Sequence, residues 1–76
     1  MRLTDARLRK WEQDVEKLSN TLDKLTGEVS AVRLAAKGAR LQHSTGLLIA
    51  TKDVRKQVAV VAMSLATLRV SEAARR

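Results

Sequence analysis

Apolar side chains in the first half of the chain recur at Leu8, Trp11, Val15, Leu18, Leu22, Leu25, Val29, Val32 and Ala36, with spacings that alternate between three and four. At 3.6 residues per turn this rhythm gathers them into one stripe, the signature of a heptad seam. Thr4 or Asp5 supplies a cap for the first turn, so a helix is predicted over about 4–36. Gly27 lies inside it and reads as a tolerated weak point or a close-approach site rather than an end, at a cost of about 1 kcal/mol against alanine. The second half repeats the pattern at Leu47, Thr51, Val54, Val58, Val61, Leu65 and Leu68, which predicts a second helix over about 47–72. Val60, Met63, Thr67 and Val70 form another stripe nearly opposite that seam. A two-helix hairpin does not cover both faces, so these four residues are candidates for docking a neighbouring protein.

Between the two patterns lies Lys37–Gly46, "KGARLQHSTG", with two of the three glycines and the one histidine. Gly38 suits the left-handed conformation that ends a helix, and Ser44, Thr45 and Gly46 suit a helix start. Short connections make neighbouring helices antiparallel. The expected fold is therefore all-α, an antiparallel two-helix hairpin with a long first helix, forming a single domain over 1–76 with a basic turn at 37–46. One continuous helix in a coiled coil is the competing architecture.

Composition narrows the picture. A chain of 76 residues buries only about 60% of its extended surface, so its own core is marginal. Cysteine is absent, which rules out a disulfide or a thiolate metal site. There is no proline, phenylalanine or tyrosine, and Trp11 is the one tryptophan. The N-terminal stretch lacks the apolar core of a secretion signal. The most apolar run, Val58–Leu68, contains Ser64 and Thr67 and is far shorter than the roughly 20 residues needed to span a bilayer, so no transmembrane segment is expected.

Charge is the strongest clue to function. Fifteen lysines and arginines face eight acids, a formal +7, which predicts attraction to nucleic acid or anionic lipid. From Val29 to Lys56 the cations are Arg33, Lys37, Arg40, Lys52, Arg55 and Lys56, against Asp53 alone, so this part carries a net +5. These six and His43 are the candidate RNA-binding residues. Arginine forks grip phosphate oxygens in pairs, and such binding weakens steeply with salt. Arg2, Arg7, Arg9, Lys10, Arg75 and Arg76 make a smaller basic group at the open end. No aromatic platform exists for stacking bases, so shape and backbone recognition of folded RNA is the expected mode. His43 has no carboxylate near it in sequence, and no Gly-rich phosphate loop or paired acids occur. The chain is not expected to be an enzyme, and no catalytic residue, metal, cofactor or small-molecule substrate is predicted.

The segment Leu22–Gln42, "LDKLTGEVSAVRLAAKGARLQ", followed by Lys52–Ala59, "KDVRKQVA", resembles the universal large-subunit ribosomal protein twenty-nine family. Val32-Arg33 matches the pair that ends the family's first helix, and Gly38 with Leu41-Gln42 matches its turn. Val54-Arg55-Lys56-Gln57-Val58-Ala59 matches the opening of its second helix. The likeness covers roughly residues 8–70. It departs in a linker a few residues longer and in Val60, which stands where the family has arginine. The resemblance implies an αα-hairpin that is a structural constituent of the large ribosomal subunit, bound to ribosomal RNA near the nascent-chain exit. It implies neighbouring ribosomal proteins, protein twenty-three among them, and exit-site factors as partners. Its location would be a ribosome in the bacterial cytoplasm or an organelle matrix.

The rival class is a helical-hairpin adaptor or assembly protein that acts through protein–protein or anionic-membrane contacts. Basic membrane-remodelling hairpins, such as those opening the ESCRT-III family, share the long helix, the bend and the positive charge.

Overall fold

A computed structural model of the chain describes residues 3–75. Two helices, α1 (Asp5–Ala35) and α2 (Ala39–Ala74), pack antiparallel as a rod of 58 × 18 × 15 Å. The α1 helix starts where Thr4, in extended backbone, accepts the Arg7 amide N–H on its hydroxyl, and Asp5 adds a negative charge in the first turn. It ends because Ala36 adopts extended backbone (φ −83°, ψ 151°) while its amide still donates to the Arg33 carbonyl.

The bend is much tighter than a turn over 37–46. Only Ala36, Lys37 and Gly38 lie between the helices. Gly38 has positive φ, as expected, but with ψ −136° it is not in the left-handed helical region and it does not close α1. It stands at the head of α2, where its carbonyl accepts the amides of Leu41 and Gln42. Ser44, Thr45 and Gly46 therefore sit inside α2 and do not start it. The Ser44 hydroxyl bonds back to the carbonyls of Arg40 and Leu41, so its polarity is satisfied within the helix and offers no signal to begin one.

Cross-helix pairs fix the register, among them Arg33–Thr45, Arg55–Asp23 and Arg69–Glu12. With Arg69–Asp5 they are centred close to Gly38, as a hairpin folded there requires. The packed seam keeps the predicted a positions, Leu8, Val15, Leu22, Val29, Thr51, Val58 and Leu65, but not the predicted d positions. With Leu8 as position a of a heptad, the predicted stripe is a and d, whereas the packed side of α1 is a and e: Leu8, Glu12, Val15, Ser19, Leu22, Thr26, Val29 and Arg33. With Ser44 as a, the packed side of α2 is likewise Ser44, Leu48, Thr51, Arg55, Val58, Leu65, Arg69 and Glu72. Each helix is thus turned about its axis by roughly half of one 100° residue step. Serine and threonine in the seam allow the helix axes close approach, which large d-position side chains would oppose. The cross-helix ion pairs, at b and e positions, hold the rotated arrangement. The fully covered hydrophobic core is small: Leu8, Leu22, Val29 and Val58.

The open end is held by a clasp. Arg69 donates Nε and Nη2 to the two carboxylate oxygens of Glu12, and Nη1 to Asp5 at 2.9 Å. The Arg69 hydrogen bonds hold the Glu12 carboxyl below its usual range, and the same bonds raise Arg69 further. A depressed carboxylate stabilises the fold above its unfolded pKa of about 4.3, and that stability is lost as pH falls through its lower folded value. Thermal melts followed by circular dichroism should show the midpoint falling below about pH 4.5. Glu12→Gln should lower the midpoint at neutral pH and flatten that acid limb. An unchanged acid limb in the variant would mean that the clasp does not hold the open end.

Candidate functional site

The six predicted cations divide into engaged and exposed groups. Arg55 is engaged by Asp23 at 3.0 Å, and Arg33 donates Nε to the Thr45 hydroxyl at 2.9 Å. Both are half-buried along the seam and serve the fold. Lys37, Arg40, His43, Lys52 and Lys56 are exposed, and none of them forms an ion pair among the described residues. Asp53 likewise has no ion-pair partner there.

These exposed groups are not one cluster at the tip. Lys37, Arg40 and His43 surround the bend, whereas Lys52 and Lys56 lie about 20 and 25 Å further along α2 at 1.5 Å per residue. Sixteen residues separate Arg40 from Lys56, which turns their side chains about 160° apart around α2. The cations of the bend half are therefore not gathered on a single palm. This differs from the compact grip expected of a basic turn. Extending α2 upstream to Ala39 spread the charges along a rod.

A second surface is more sharply defined. Because the seam is rotated, the d positions of both helices lie outside it. Leu18, Leu25, Val32, Leu47, Val54 and Val61 keep between 39% and 51% of their surface exposed. Seen from one end, antiparallel helices wind in opposite senses, so both d rows flank the seam on the same side. The groove lined by Leu25, Val29 and Val32 of α1 with Ser44 and Leu47 of α2, and edged by Glu28, bears this out. The opposite side of the seam is more mixed: Glu12, Glu16, Ser19, Asn20 and Arg55 line it together with the apolar Val15, Val58 and Leu65. The two sides of the seam thus differ, the d side being the more aliphatic.

The predicted docking residues are also exposed. Val60, Met63 and Val70 stand on the outer side of α2, with the Thr67 hydroxyl bonded back to the Met63 carbonyl. Ile49 joins them there. They point away from the d rows, so α2 is apolar on more than one side. Sequence reasoning placed Leu18, Leu25, Val32, Leu47, Val54 and Val61 in the hairpin seam and so missed them as surface. The signal for the correction was the run of small or charged residues one step on, Ser19, Thr26, Arg33, Arg55 and Ala62, which suit a close, ion-paired contact.

No helix among the described residues is long and apolar enough to cross a membrane. No family model, curated protein or solved structure matches the chain.

Proposed function

We propose that the chain is a helical-hairpin assembly protein that works by packing its aliphatic face against other helices. The observation that carries this reading is the double row of exposed d-position side chains. A solvent-facing stripe of six aliphatic residues lowers solubility with no compensating gain unless a second apolar surface covers it. In the seam the chain mixes leucine and valine at a with serine, threonine and ion pairs, and its d-position aliphatic side chains are kept outside, where only another molecule buries them. A photo-crosslinking amino acid placed at Val54 should yield a defined protein adduct in cells, and Leu25→Lys should abolish it. The same probe at exposed Gln13, outside the aliphatic face, serves as the control. Equal labelling from both positions would refute the reading.

The unpaired cations of the bend half favour a second reading. In it the chain is a structural constituent of the large ribosomal subunit, with Lys37, Arg40, His43, Lys52 and Lys56 on ribosomal RNA. Val60, Met63, Thr67 and Val70 would then meet ribosomal protein twenty-three or exit-site factors. Co-sedimentation with large subunits at graded salt tests it. Lys37→Gln, Arg40→Gln and Lys56→Gln together should weaken binding and lower the logarithmic salt slope by about one per phosphate contact removed. Wild-type protein that stays at the top of the gradient at low salt would eliminate this reading.

A further inference from the structure

We infer that the aliphatic face is covered by a second copy of this chain, so that two hairpins stack face to face as a four-helix bundle. This names the partner of the assembly reading above and rests on it.

Two observations point to the same occupant, and a third sets its orientation. The first is the width of the apolar pattern. A helix that contacts one partner needs only two heptad positions, whereas a helix in the corner of a bundle uses three, one shared and one toward each neighbour. Here position a lies in the seam, e meets the other helix of the hairpin, and d is apolar on both α1 and α2, exposed at Leu18, Leu25, Val32, Leu47, Val54 and Val61 and half-buried at Trp11 and Leu68. Each helix therefore has one neighbour too few, and the deficit is the same for both. A second hairpin placed on the d side supplies both missing helices at once. A two-fold axis through such a contact matches the face with itself.

The second is size. The broad side of a rod 58 × 18 Å offers about 1,000 Å², and a stable interface takes about 800 Å² from each partner. The third is charge. The bend half carries a net +5 over Val29–Lys56, while the remainder holds most of the acids and is close to neutral. Stacking with the bends at opposite ends sets each cationic half against a nearly neutral one. Stacking with the bends together would bring two +5 regions into contact. The first arrangement keeps the cationic tips of the dimer far apart and free for a polyanion.

Sedimentation equilibrium of the whole chain tests this, with the emission of the single tryptophan as a local reporter. Trp11 belongs to the d row of α1 and is only half-buried in the hairpin. Twice the chain mass is expected, with a blue shift of Trp11 emission as concentration rises to about 200 µM, above the weak, micromolar end of the range for interfaces of this size. Because two positive chains repel, dimerisation should strengthen between 50 mM and 500 mM salt, opposite to polyanion binding. Leu25→Lys with Val54→Lys should raise the dissociation constant at least tenfold. Both positions are exposed in the hairpin, so the double variant leaves the seam intact. A wild-type chain that is helical yet monomeric at 200 µM and high salt overturns the second copy, while docking itself is still judged independently by the Val54 crosslink. A dimer that resists the double variant but dissociates with Met63→Lys and Val70→Lys also overturns it, by placing the interface on the outer side of α2.

Discussion

Leu22→Asp is expected to unfold the hairpin in water at 25 °C. Leu22 is buried in the middle of the seam beside the Arg55–Asp23 pair, at the level of the stretch of α2 that carries the buried Val58. Truncating a buried leucine to alanine costs about 2–5 kcal/mol, and forcing an unpaired carboxylate into the same place costs more. The whole fold is held by a margin on the order of 4–11 kcal/mol at this length. Four covered hydrophobic side chains leave no reserve. Far-UV circular dichroism should show lost helicity, and Val58→Asp should do the same. The paired measurement is Leu25→Asp. Leu25 belongs to the a/d pattern that the sequence suggests, yet it is 39% exposed. In dilute solution that variant should keep its helicity, because the new charge stays in water. If Leu25→Asp unfolds the chain while Leu22→Asp does not, the rotated seam is wrong.

Gly38→Ala should destabilise the hairpin by about 1–3 kcal/mol, the cost of holding a side-chain-bearing residue in a backbone region that only glycine occupies freely. At φ 62° and ψ −136° the strain is in the backbone itself, since an added methyl group at Gly38 would meet nothing within 4 Å. Gly46 makes the contrast. It lies within α2, and a methyl group there also has open space. Gly46→Ala should therefore stabilise the chain by about 0.4–1 kcal/mol, through better helix propensity and a less flexible unfolded state. Urea unfolding of the two variants in parallel checks both signs. Equal effects at the two positions would show that the chain does not turn at Gly38.

Both results bear on what the heptad rhythm revealed. The spacing from Leu8 to Ala36 located α1 to within a residue at each end, because a long alternation of threes and fours has no other regular explanation. The α2 helix begins at Ala39, well before the expected start at about 47, since Ser44 and Thr45 are cap residues by type but helix-interior residues here. Their hydroxyls are bonded to α2 backbone or to Arg33, which local sequence does not announce. For the candidate site, the identity of the cations was legible from charge counting. Their division was not. Asp23 is thirty-two residues from Arg55, and Glu12 is fifty-seven from Arg69. Pairings at that distance exist only once the register is set.

The amino-acid sequence alone determined that this chain forms two long amphipathic helices joined near a glycine, with an excess of cations toward the bend. Those properties follow from spacing, propensity and composition, which act within a few residues. Tertiary structure alone decided which stripe closes the hairpin. Positions a, d and e are all available on both helices. Small seam residues and the arginine pairs to Asp23, Glu12 and Asp5 select a and e, and leave the d rows of leucine and valine facing outward. A rotation by half a residue step changes neither helix, but it exchanges core for surface.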